Sequence, residues 1–217
     1  MIQIQPSKAV CGKFDFMSKL EQVKTIIEAA GGIAKTADFT AAGIAKPVLT
    51  NLTEHGQLVR IRQGYYRLAD HIDMPEAQYI ASLLPEGIVC VESALFYYGY
   101  SDYAPREWAL AVPRAITLTK LRIPGVQIKP YFIQKNAYEL GRTKERFDGI
   151  DLPIYDRERT ICDCFKYRSR LDREMFNKAV NAYVADDQKK LDNLSKYAKE
   201  LGLYSRVMEL MEVLLNG

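Results

Sequence analysis

Histidine is scarce in this chain of 217 residues: there are two, His55 and His71, and none follows. A Ser–His–Asp or Cys–His catalytic site would have to be built from one of them. The P-loop, the dinucleotide fingerprint GxGxxG, the nucleophile elbow GxSxG and the zinc motif HExxH are all missing. So is the Gly-Ser pair that opens a polymerase-type nucleotidyltransferase site, although Asp148, Asp151 and Asp156 are spaced acids. Asp187-Gln188-Lys189 has the spacing of a restriction-type nuclease but falls between helices, where turn chemistry accounts for it. No catalytic residue is assigned, and the chain does not read as an enzyme.

Cysteine is sparse as well. Cys11, Cys90, Cys162 and Cys164 follow no zinc spacing, and Cys162 and Cys164, two apart, fall on different faces of a helix. They read as reduced thiols in a reducing compartment. No apolar run approaches the ~18 residues that cross a bilayer. Met1 to Phe16 has neither a long apolar segment nor a cleavage-site pattern. The expectation is a cytoplasmic protein without membrane contact, metal or cofactor.

Excess charge of one sign is also small, +3 overall, too little to mark the whole chain as a nucleic-acid binder. Its distribution is more informative. Residues 1–70 hold nine basic and six acidic side chains, and the remainder holds 21 of each. The whole excess sits in the first third.

That third has a recognisable order. Ser18 followed by Glu21 reads as a capping box, and Leu20, Val23, Ile26, Ile27 and Ala30 recur at helical spacing, which predicts a helix over 18–30. Thr36 is placed to cap a short helix over 37–42. A third helix runs from Ala45 to His55, with Pro47 tolerated in its first turn. Val48, Leu49 and Leu52 form its buried stripe, with Lys46, Pro47, Thr50, Asn51 and Glu54 opposite. His55 reads as a helix-end residue favoured by the dipole. Leu58 to Arg62 and Tyr65 to Leu68, around Gln63-Gly64, alternate as a β-hairpin. Tyr65 and Tyr66 point to opposite faces, one to the core and one to the surface.

Three helices followed by a hairpin predict a winged helix-turn-helix over 1–70. In such a unit the third helix enters the major groove and the hairpin touches the backbone. The candidate DNA-binding residues are Lys46, Thr50 and Asn51 on the helix and Arg60, Arg62 and Arg67 on the hairpin. Winged helices also serve as protein-interaction modules; the local charge excess favours DNA.

Residues 71–217 read as a second, mixed α/β domain with a helical C-terminal part, making the chain α+β. Helices are expected over 75–84 and 91–98, and strands over 108–113, 126–132 and 150–155. Pro113, Pro130 and Pro153 argue for short or edge strands. From Arg157 the pattern is helical, with four apolar stripes: Ile161, Cys164 and Phe165; Met175, Phe176, Ala179, Val180 and Tyr183; Leu191, Leu194, Tyr197, Ala198 and Leu201; and Val207, Leu210, Met211 and Leu214. Arg157, Arg159, Lys166, Arg168, Arg170 and Arg173 form a basic-rich stretch. At helical spacing Arg159, Lys166, Arg170 and Arg173 come to one face. That face is either a functional surface or a solvated one balanced by Glu158, Asp163, Asp172 and Glu174.

Several runs resemble one family. Leu49-Thr50-Asn51-Leu52, Gly56 to Ile61 and Gly64-Tyr65-Tyr66-Arg67-Leu68 resemble the N-terminal winged helix of AbiEi-type antitoxins of bacterial abortive-infection systems. Glu92-Ser93-Ala94-Leu95, Trp108 to Pro113, Arg157 to Asp163, and the Tyr197-Ala198, Leu203 and Val207 ending resemble its second domain, so the likeness extends over about 18–215. The resemblance implies an antitoxin of a phage-defence toxin–antitoxin pair. Its winged helix represses its own operon by binding inverted repeats in double-stranded promoter DNA, two copies per operator. It also implies a cognate nucleotidyltransferase toxin as partner, antagonised directly or indirectly, with Arg159, Lys166, Arg170 and Arg173 as an antitoxin surface. The alternative is a transcriptional regulator whose second domain senses a ligand or dimerises.

Overall fold

The computed structural model describes residues 8–216, and side chains over 19–215. The chain divides into two compact units between Ser82 and Leu83.

In the first unit, α1 spans Lys8–Ala29 and so begins ten residues before the expected start. Ser18 is inside this helix and does not cap it; its side chain and that of Cys11 lie outside the described residues. Val23 and Ile27, one turn apart, are closed to solvent and pack with Phe39, Leu49, Leu52, Leu58 and Leu68. Burying side chains of this size contributes roughly 1.5–3 kcal/mol each. A two-residue strand, β1 (Ala34–Lys35), leads into α2 (Thr36–Ala41) and α3 (Lys46–Glu54). Thr36 is the first residue of α2 and not its cap. Lys35 holds the cap position, and its N–H donates to Asp38 Oδ2 at 2.7 Å, the backbone half of a capping box.

β2 (Leu58–Arg62) and β3 (Tyr65–Leu68) form the hairpin at the expected residues. Leu58 faces Leu68 and Arg60 faces Tyr66, with a bulge before Arg62 meets Tyr65. β1 adds to the other side of β3, giving an antiparallel sheet in the order β1-β3-β2. α4 (Glu76–Leu83) follows. Composition drew the boundary at residue 70, whereas 71–82 fall with the first unit. Arg67 Nη1 donates to His71 O at 3.1 Å, and a methyl group added at Gly32 would lie 3.0 Å from Met74 Cε.

The second unit contains β4 (Ile88–Val89), α5 (Val91–Tyr97), β5 (Trp108–Pro113), β6 (Ile128–Ile133), α6 (Lys135–Tyr138), β7 (Arg142–Phe147) and β8 (Ile150–Tyr155). The helices α7 (Arg157–Lys166), α8 (Arg173–Ala185), α9 (Leu191–Glu200) and α10 (Tyr204–Asn216) complete it. The strands form one mixed sheet in the order β6-β5-β4-β8-β7. The described residues are thus α+β with two sheets. Pro130 is on an edge strand, as expected. Pro153 is not: β8 lies between β4 and β7. The two-residue β4 meets β8 only at Val89 and Ile154, so the missing N–H of Pro153 breaks no run of ladder bonds.

Most of the expected apolar stripes are buried: Ile161, Cys164 and Phe165 of α7, Phe176, Ala179, Val180 and Tyr183 of α8, Leu194 and Ala198 of α9, and Val207 and Met211 of α10. Met175, Tyr197, Leu201, Leu210 and Leu214 are half-buried and Leu191 is exposed. The buried residues share one core with Ile88, Ala109, Tyr131 and Tyr155 of the sheet. Asp172 caps α8, its Oδ1 accepting from the N–H groups of Glu174 (2.7 Å) and Met175 (3.4 Å). Among the described residues no helix is long and apolar enough to cross a membrane.

Candidate nucleic-acid interface

α3 is a nine-residue helix whose two faces divide sharply. Pro47 sits in the first turn, where a missing N–H costs nothing. Leu49 and Leu52 are buried, and Val48 is half-buried beside them. Lys46, Pro47, Thr50 and Glu54 are exposed on the other side. Thr50 Oγ1 donates back to Lys46 O at 3.3 Å. His55 closes the helix, with Nδ1 2.8 Å from Asn51 O, the terminal role its position suggested. Asn51 differs from its neighbours. It is half-buried, and its Oδ1 is enclosed without a hydrogen-bond partner.

The hairpin arginines separate by face. Arg60 lies opposite Tyr66, whose ring packs on Phe39 with centroids 6.1 Å apart. Arg62 lies opposite Tyr65, and its guanidinium carbon stands 4.5 Å from that ring's centroid. Tyr66 is therefore the core-side tyrosine and Tyr65 the outer one. Arg60 is exposed; Arg62 and Arg67 are half-buried. Arg67 Nη1 is committed to its own backbone, donating to Leu68 O (2.8 Å) and His71 O (3.1 Å).

Lys35 is an addition that sequence reasoning missed. β1 pairs Lys35 with Tyr65 and brings its Nζ to 5.9 Å from the ring centroid, so Lys35 and Arg62 both approach the Tyr65 ring. Two residues are too few to show strand alternation; the only signal was the basic residue itself.

The basic stretch of the second unit is not one face. α7 ends at Lys166, a 3-10 turn covers Arg168–Arg170, and α8 restarts at Arg173. Lys166, Arg170 and Arg173 are exposed, but Arg159 is 0% exposed and does not belong to any surface. Its Nε donates to Asp163 Oδ1 at 3.1 Å, and its Nη1 donates to Ala137 O (2.6 Å) and Leu140 O (2.9 Å). Burial raises the Asp163 carboxyl, against the pull of Arg159. The thiols nearby behave as core groups. Burial pushes Cys162 up to about 12 and raises Cys90 and Cys164 well above the ordinary thiol range, which leaves them protonated and unreactive. Among the described residues no three His, Cys, Asp or Glu side chains gather as a metal site.

Comparison with known proteins bears on both units. No curated protein sequence matches the chain. The crystal structure of RV2827C protein from Mycobacterium tuberculosis is similar at a TM-score of 0.58 and 16% identity, over 89% of this chain and 80% of that one. At that identity the likeness concerns the fold alone. A family model described as "Transcriptional regulator, AbiEi antitoxin" matches residues 21–69. The segments 92–95, 108–113 and 157–163, expected from the sequence to belong with that family, lie outside the matched region. Residues 21–69, which carry the last nine residues of α1, all of α2 and α3 and the whole β1-β3-β2 sheet, are thus the part of the chain that matches the AbiEi antitoxin and transcriptional-regulator family.

Proposed function

We propose that this chain is the antitoxin of an AbiE-type pair and represses its own operon through a winged helix-turn-helix. The observation that carries the reading is the family match over 21–69, on a segment whose α3 exposes Lys46 and Thr50 away from its buried leucines. α3 enters the major groove, with Lys46 and Thr50 at its leading turn. The wing follows the backbone, where Arg60 is the freest cation and Arg62 and Lys35 act from the Tyr65 face. Asn51 and Arg67 contribute after rearrangement, since one has its carbonyl oxygen enclosed and the other its guanidinium engaged. Two copies occupy the two halves of an inverted repeat. The second domain counteracts a nucleotidyltransferase toxin, with Lys166, Arg170 and Arg173 as the exposed cations of that surface.

A gel-shift titration against the region upstream of its own operon tests the repressor half. Tight, sequence-selective binding that weakens on Lys46→Ala and Arg60→Ala supports it. Weak binding indifferent to sequence and to both substitutions sinks it. Co-expression with the adjacent gene tests the other half: rescue of growth from a nucleotidyltransferase supports it, and no rescue removes it.

A further inference from the structure

The second unit holds an elbow that neither the family match nor the DNA-binding reading uses. Val91, the first residue of α5, has φ 41°, a backbone state that β-branched residues rarely adopt and that persists only where surrounding bonds impose it. Here Cys90 N–H donates to Ala109 O (3.0 Å) and Ala109 N–H donates to Ser93 Oγ (2.9 Å), so the start of α5 is stitched to β5 on both sides of the strained residue. The side chain presented next is Glu92.

Glu92 is a carboxylate only 9% exposed. Its Oε1 accepts from Lys129 Nζ (2.6 Å), and Tyr131 OH lies within hydrogen-bond distance of Oε1 (2.9 Å) and Oε2 (2.8 Å). This held carboxylate lines a cleft of about 270 Å³. Arg106 and Arg170 also line it. Arg170 stands 4.7 Å from the Tyr131 ring centroid, and neither arginine has a carboxylate partner among the described residues. Of the other charges lining it, Lys129 is engaged by Glu92 and Asp172 by the first N–H groups of α8, while Glu107, next to Arg106 in the chain, is exposed at the rim. Tyr103, 62% exposed, adds an open aromatic wall.

We propose that this cleft is a binding site for a phosphate ester of mononucleotide size. Arg106 and Arg170 take the phosphate, because a guanidinium fork matches its oxygens two at a time. Glu92 accepts from sugar hydroxyls, a role for which a fixed, enclosed carboxylate is suited and which a bare anion cannot exploit. Tyr103 stacks on the base. The volume of about 270 Å³ is near the lower end of small-ligand pockets, roughly 300 Å³, in keeping with a single mononucleotide. The site is independent of the operator-binding reading and stands or falls separately.

Titration calorimetry of the full chain with AMP, GMP, CMP and UMP, each beside inorganic phosphate and adenosine, tests it. At least one nucleotide binds saturably, tighter than phosphate or nucleoside alone. Arg106→Gln and Arg170→Gln each weaken it about tenfold or more with unchanged circular dichroism, and Lys144→Gln leaves it as it was. Arg106 is exposed, so its variant folds even if the Arg170 variant does not. The proposal is overturned if none of the four nucleotides binds at millimolar concentration. It is equally overturned if Arg106→Gln leaves binding intact, or if inorganic phosphate binds as tightly as the nucleotides.

Discussion

Arg159 and Asp163 form an ion pair one helical turn apart, Nε to Oδ1 3.1 Å, with both side chains closed to solvent. The same guanidinium donates to Ala137 O of α6 and to Leu140 O of the turn before β7, and stands 4.2 Å from the Tyr155 ring centroid. One side chain thus joins α7 to the sheet and to a loop. Removing it leaves a carboxyl group and two carbonyls without their donor. Arg159→Ala is expected to cost about 3–5 kcal/mol in urea unfolding. The Asp163 carboxyl, already raised by burial, rises further without the guanidinium. The variant then binds a proton on folding, so its loss deepens as pH rises from acid to neutral. A cost below ~1 kcal/mol at neutral pH, typical of a surface pair, would contradict the account.

Gly141 packs against the same arginine. At φ +73°, a Cβ built there would lie 2.5 Å from Arg159 Cβ and 3.0 Å from Asp156 Oδ1. Gly149, at φ +85°, has open space around it. Gly149→Ala should therefore cost only the left-handed backbone penalty, roughly 1–2 kcal/mol. Gly141→Ala adds overpacking of about 1–3 kcal/mol to that. Thermal unfolding of the two variants, compared directly, separates the terms; equal losses would show that the contact with Arg159 relaxes freely.

On operator DNA the arginines of the hairpin should not be equivalent. Lys46→Ala and Arg60→Ala each remove an exposed cation and should lower the salt slope of binding by about 1. Arg67→Ala should lower it less, because its guanidinium is held by Leu68 O and His71 O. Affinities measured from low to moderate salt check the order, and an Arg67 effect as large as that of Arg60 would mean that its backbone bonds open on binding.

Asp186 carries an acid-sensitive contribution. Its Oδ2 accepts from Tyr100 OH and from Arg157 Nε (3.0 Å), and its Oδ1 accepts from Gln188 N–H (2.7 Å). Burial works to raise this carboxyl, but the hydrogen bonds from Tyr100, Gln188 and Arg157 outweigh it and hold the group below its ordinary value. A carboxyl depressed on folding stabilises above its unfolded pKa, about 3.9, and loses that contribution as pH falls through the folded value. Asp186→Asn should cost about 1.5–3 kcal/mol at pH 7, and the difference in Tm should close as the pH falls below that range. A difference constant with pH would assign the loss to packing instead.

The hairpin was legible because Leu58 to Leu68 alternates around Gln63-Gly64, and α8 because Asp172 precedes a helical stripe. β7 was not. Arg-Thr-Lys-Glu-Arg-Phe has almost no apolar alternation, and an edge strand paired on one side needs none. Arg159 was grouped with Lys166, Arg170 and Arg173 by assuming one continuous helix, which the turn over Arg168–Arg170 breaks. The signal that placed it inside was Asp163, four residues on, where a buried pair fits as readily as a solvated one. The Glu92 cleft could not be read at all, since Glu92, Arg106, Lys129 and Arg170 meet only through the fold.

β7 closes the second sheet on an edge with no further strand among the described residues. Lys144 stands near its middle, exposed and without an ion-pair partner among the described residues, between Arg142 and Arg146, which lie on the same side of the strand and pair with Glu139 and Asp151. Another copy of the chain laying its own β7 alongside in antiparallel fashion would set Lys144 against Lys144, with arginine against arginine on either side. Like charges directly opposite oppose pairing. The strand with the least hydrophobic character in the sheet is thus the one that stops sheets of neighbouring molecules from joining edge to edge into fibrils.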